Sequence, residues 1–214
     1  MRSTRLDHVG RLHHRYTPGS TDTGIEDWGN CTRCRLSATR KRVAILREGG
    51  EGSITLLFIG EAPGESEDAT GYPFIGPSGL ILNRIFKYVP HPFKYVITNT
   101  VGCRPVDLYM VDAANDREVD LSKFKYGDDY ELQDWNREPT QAEIRACKDH
   151  IHQLVETRDP QGIVYLGNVA KSYDTPLPSL SLIHPAAILR LECKLLTVLK
   201  EARKLEKFIE RFVK

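Results

Sequence analysis

Three side chains of this 214-residue chain stand directly after short apolar runs, where chemistry is often done. Glu61 follows "ITLLFIG" in the turn "GEAPG", Asn99 ends "KYVITN", and His184 follows "LSLI" and precedes Pro185. A carboxylate on a tight turn can position or deprotonate a water. An amide offers both a donor and an acceptor to a flat polar edge, and an imidazole can donate to a carbonyl oxygen or a growing anion. Phe74, braced by Pro73, Gly71 and Gly76, can stack on a ring. Each also has a plainer reading: a solvated glutamate, an Asx-turn, a structural histidine, a core plug. Gly60 and Gly64 let the backbone approach a ligand. Neither G-x-x-x-x-G-K-S/T nor G-x-G-x-x-G is present, and Glu61 would repel phosphate, which argues against a nucleotide loop.

Five cysteines form a second set. Cys31 and Cys34 make a C-x-x-C, Cys103 lies in "GCRPV", Cys147 in "IRACKDH", and Cys193 stands alone. With no secretion signal visible, a disulfide scaffold is not expected. The C-x-x-C taken alone is redox-active, half of a zinc site, or chance. Four thiols in two groups favour a metal or iron–sulfur site, and spacing does not choose between them.

Apolar periodicity supplies the frame for these groups. Strands are expected at 54–60, 94–99, 162–167 and 180–183. Helices are expected at 78–89, at 140–158 behind a capping box of Thr140 and Glu143, and at 196–214. Strand–helix alternation predicts an α/β/α three-layer sandwich around a mostly parallel sheet of about four strands. Ligands of such sheets bind beyond the carboxyl ends of the strands, which would draw Glu61, Asn99 and His184 into one cleft. Residues 1–25 read as a flexible basic arm, and 26–214 as a single domain.

No run approaches the roughly 18 apolar residues of a membrane span. The expectation is a monomer located inside the cell, cytoplasmic or nucleoid-associated, and not secreted. The net charge of +1 is uneven: residues 107–138 hold ten acidic and four basic side chains, a local −6, leaving +7 elsewhere. A moderately basic body suits nucleic acid, although a solvated mixed-charge surface explains it equally. The acidic stretch, about 107–135, reads as an inserted, flexible surface element: a lid, a phosphate mimic for a repair or replication partner, or a disordered loop.

The segments "GEAPGESEDATGYPFIGPSGLILNRIF", "YVITNTVGCRPV", "NREPTQAEIRAC", "IVYLGNVA" and "HPAAILR" resemble, in order, the motifs of the uracil-DNA glycosylase superfamily. The likeness is strongest to the iron–sulfur branch called family 4. That resemblance implies a uracil-excising DNA glycosylase with Glu61 and His184 catalytic. Gly60, Ala62, Gly64, Phe74 and Asn99 would line the base site. Pro185, Ile188, Leu189 and Arg190 would face DNA, with Ile188 or Leu189 as a wedge into the vacated stack. Cys31, Cys34, Cys103 and Cys147 would hold a structural [4Fe-4S] cluster, zinc being the lesser candidate. The branch that bonds covalently to its product uses a histidine hereabouts, and none lies between Cys103 and Cys147. The other functions kept open are a catalytically weak homologue that binds DNA or a partner, and an iron–sulfur protein for a different nucleobase-like substrate.

Overall fold

The computed structural model describes residues 28–112, 117–118 and 130–213. Its main sheet is built from β1 (Arg47–Gly50), β2 (Thr55–Gly60), β3 (Lys94–Asn99), β7 (Gly162–Leu166) and β8 (Ser179–Leu182), in the order β1-β3-β2-β7-β8. Helices α1 (Glu65–Thr70), α2 (Pro77–Lys87), α3 (Gln141–Arg158), α4 (Pro185–Leu189) and α5 (Lys194–Ile209) surround it. The four expected strands are present and mutually parallel; β1 is a fifth, antiparallel to β3. Its sequence, "REGG", has no apolar run by which to recognise it.

The layers follow from the side-chain alternation of β2. Leu56 and Phe58 join one core with Leu82, Ile85, Ile188, Val198 and Leu205, from α2, α4 and α5. Leu57 and Ile59 join the opposite core with Ile151 and Leu154 of α3. All four β2 residues are completely buried, so both faces of the sheet are covered.

The expectation for residues 107–135 needs correction. Rather than a loop, the described part of this stretch is β-structure: β4 (Val106–Asp112), β5 (Arg117–Glu118) and β6 (Tyr130–Asn136) form a separate antiparallel sheet. β4 and β6 pair from Val106 opposite Asn136 to Asp112 opposite Tyr130, and β5 pairs with the other edge of β4. The arm expected over residues 1–25 lies outside the described residues. Among the described residues no helix is long and apolar enough to cross a membrane.

Candidate active site and cysteine site

The parallel register brings the strand ends to one rim. Gly60 lies opposite Asn99, Ile59 opposite Tyr165, and Leu166 opposite Leu182. The Thr100 amide donates to the Gly60 carbonyl at 2.9 Å and its hydroxyl to the Glu61 carbonyl at 2.6 Å, stitching the "GEAPG" turn to the end of β3. Gly60 is required by close approach: a Cβ there would collide with the Phe74 ring and Asn99 Oδ1. Phe74 and His184 lie with ring centroids 5.9 Å apart. Phe74, Asn99 and His184 therefore gather at this rim, and Glu61 stands on the turn beside them.

Electrostatics give these groups different capacities. Asn99 is 1% exposed, and its Oδ1 has no hydrogen-bond partner among the described residues. A buried acceptor in that state is costly unless a ligand donates to it. Burial pushes the half-buried Glu61 carboxyl up from its ordinary value, and nearby Glu138 adds to the effect. His184 is the N-cap of α4, its Nδ1 accepting from the Ala186 amide at 3.2 Å. The ring's proton is thereby placed on Nε2, and burial together with Arg190 holds the imidazole below its ordinary pKa, hence neutral.

Phe74 adopts φ +55°, a left-handed conformation that costs a bulky residue about 1–3 kcal/mol. Arg47 of β1 donates from Nη1 to its carbonyl at 2.5 Å. Sequence reasoning missed this arginine because nothing in "REGG" advertises it.

The thiols lie behind this rim. Cys103 and Cys147 pack with Leu36, Val101 and Ile144, and Cys34 and Ala62 border the same cluster, so the "GEAPG" turn rests against it. Burial pushes the Cys103 thiol up to about 12 and Cys147 up to about 11, and the neighbouring cysteines add to both effects. Two buried thiols whose ionisation is opposed by burial and by neighbouring sulfurs suit a bound cationic group, which would hold them as thiolates. The Gly102 amide donates to Cys147 Sγ at 3.3 Å, a contact that stabilises a ligating sulfur. Among the described residues, only His91, Glu206 and Glu210 bring three ligating atoms within 4.8 Å of one another. No three cysteine sulfurs are that close, whereas a single zinc with bonds of about 2.3 Å would require them nearer still. The residues fit a thiolate-bound metal group.

The family model of the uracil DNA glycosylase superfamily matches residues 47–212. The chain belongs to the uracil DNA glycosylase superfamily. It is similar to the type-4 uracil-DNA glycosylase of Saccharolobus solfataricus, 32% identical over 145 residues, covering 67% of this chain and 53% of the relative. The Thermotoga maritima type-4 uracil-DNA glycosylase is 32% identical over 146 residues, 67% of this chain and 59% of the relative. That of Archaeoglobus fulgidus is 27% identical over 155 residues, 72% and 63%. The chain thus spans somewhat more than half the length of these relatives. Cys31 and Cys34 precede the residues matched to the superfamily.

The segment expected to face DNA divides in two. In α4, Pro185 and Ile188 point inward; Ile188 is completely buried against the α2 and α5 core and is not a wedge in this conformation. A three-residue spacing puts both on one helix face. Leu189 is half-buried, while Arg190 and Leu191 are exposed, Leu191 at 42%. Cys193 is exposed and directly precedes α5.

Proposed function

We propose that this superfamily member is a monofunctional uracil-DNA glycosylase, hydrolysing the N-glycosidic bond of uracil, or a related modified pyrimidine, in DNA to leave an abasic site. The observation that carries the reading is the buried, unpartnered Asn99 Oδ1 at the wall that Phe74 forms. An Asn side chain with a free acceptor matches an edge that presents N–H beside C=O, as uracil does; cytosine presents an unprotonated nitrogen there. The names of the type-4 relatives support the same substrate.

The target nucleotide leaves the stack, at a cost of a few kcal/mol, and its base enters beside Phe74. As the bond breaks, negative charge grows on the base, and the neutral His184 donates its Nε2 proton in a hydrogen bond to it. Glu61, ionised, orients a water and faces the developing positive charge of the sugar. Opposite charges at the two ends of the breaking bond complement the transition state. Arg190, exposed after α4, is available to a phosphate.

We further infer that Cys31, Cys34, Cys103 and Cys147 hold a [4Fe-4S] cluster. It would cross-link the segment ahead of β1, the turn after β3 and helix α3, and take no part in the bond cleavage.

The test is excision from single- and double-stranded oligonucleotides containing uracil, with abasic sites revealed by alkali. Strand breakage is expected, and Glu61→Ala or His184→Ala lowers it at least about a hundredfold with DNA affinity little changed. No breakage on either substrate refutes the uracil reading; equal losses of excision and affinity point to a binding protein. Anaerobically prepared protein is expected to be brown, with matched iron and sulfide. Zinc without sulfide overturns the cluster.

A further inference from the structure

We propose that Glu67 and Arg47 form a two-sided clasp that holds Phe74 in its left-handed conformation and so fixes the ring wall of the base pocket. What the pocket holds rests on the excision reading above; the clasp itself does not.

Glu67 lies on α1, six positions after Glu61, and is only 8% exposed. Its carboxylate is spent on backbone amides. Oε1 accepts from Ile75 at 3.0 Å and from Gly76 at 2.8 Å, and Oε2 accepts from Gly64 at 3.2 Å. Gly64 and Gly76 are the N-caps of α1 and α2, so one side chain serves the starts of two helices, where anionic oxygens are favoured. These partners also bracket the pocket. Gly64 closes the "GEAPG" turn, and Ile75 and Gly76 immediately follow Phe74.

Arg47 acts from the other side. Its Nη1 donates to the Phe74 carbonyl and its Nη2 to Asn83 Oδ1, each at 2.5 Å. The residue in the unfavourable backbone region is thus gripped at its own carbonyl and at the next two amides. Gly79 completes the arrangement, since a Cβ there would collide with the Phe74 carbonyl. Three N–H donors converging on one side chain require a group that only accepts, with two oxygens. A glutamine turns an NH₂ toward at least one of them. Glu67 is a positioning residue: all its hydrogen bonds go to backbone, none into the pocket.

The test uses Glu67→Gln, Arg47→Met and Phe74→Ala, singly and as pairs with Phe74→Ala. Hydrogen exchange over residues 72–79 reads the clasp without any substrate, and single-turnover uracil excision reads its consequence. Glu67→Gln is expected to speed exchange at Ile75 and Gly76 about tenfold or more, as loss of a charge-assisted hydrogen bond does. In the same variant excision falls about tenfold in the Phe74 background and hardly at all beside Phe74→Ala, because residues acting through one group are non-additive. Equal losses in both backgrounds, or unchanged exchange at 75–76, overturn the proposal. If the wild type excises no uracil, the excision reading fails and the exchange result alone decides the clasp. Should Glu67→Gln not fold, Arg47→Met is judged by the same two measurements.

Discussion

Because the Ala186 amide donates to His184 Nδ1, the ring offers its proton from Nε2, and burial keeps a second proton off. On the acid side of the pH profile the group that must lose its proton to work is Glu61. Its carboxyl is raised by burial and then by Glu138, and it must be ionised to work, so excision is expected to fall as pH drops through a value above the ordinary 4.5. Replacing Glu138 by Gln removes the repulsion and should move this acid limb to lower pH. Single-turnover rates from pH 4 to 8, about the range that brackets such a shift, check the sign. An unmoved limb in Glu138→Gln would sink the assignment. Glu61, Asn99 and His184 were legible in the sequence because each ends an apolar run, and parallel strands must end together. Glu67 follows no apolar run and lacks that signal. Its partners at 75 and 76 are set by the path of an intervening turn, which composition does not encode.

Helix α3 is anchored at its first turn by a network around Glu143. Its capping box is formed as expected, the Glu143 amide donating to Thr140 Oγ1 at 3.3 Å and Oε2 accepting from the Thr140 amide at 2.7 Å. Glu143 also takes two hydrogen bonds from Arg137, at 2.7 and 2.8 Å, and one from Arg35 at 2.9 Å. The Arg137 bonds hold the carboxyl well below the usual carboxylate range, with Arg35 and Thr140 assisting, despite burial. A depressed folded pKa stabilises the fold above the ordinary 4.5 and loses that contribution as pH falls toward the folded value. Glu143→Ala takes two charged hydrogen bonds from the largely buried Arg137, leaving it the exposed Asp107 carboxylate, and is expected to cost about 2 kcal/mol. Thermal unfolding measures this, and because Cys147 lies one turn further along, iron content should fall as well. A change within about 0.5 kcal/mol, the range of ordinary surface substitutions, refutes it. β1 and α1 escaped sequence reading for a shared reason: "REGG" and "ESEDAT" carry no apolar period, and their places are set by partners distant in sequence.

At the scale of the whole molecule, the rim of Gly60, Phe74 and Asn99 and the thiols are two sides of one piece of scaffold. Buried His150 joins them. Its Nδ1 contacts the Cys147 carbonyl and its Nε2 the Asn99 carbonyl at 2.9 Å, while Trp28 packs edge-on against the ring. The three-layer plan was legible because both faces of β2 are apolar, as only a sheet covered twice requires. The antiparallel pairing of β4 with β6 was not, since this acidic stretch has little apolar periodicity.

The two lateral boundaries of the main sheet have a bearing on how copies of this chain meet. β1 and β8 are each four residues long. β1 ends in Gly49 and Gly50, the latter at φ +77°, and Pro178 directly precedes β8. Short margins with a turn residue at the end make poor templates for a strand from another molecule. We expect the protein to sediment as a single chain at micromolar concentration, with no growth of a shared sheet between copies; a concentration-dependent dimer that protects the β8 amides from exchange would overturn this.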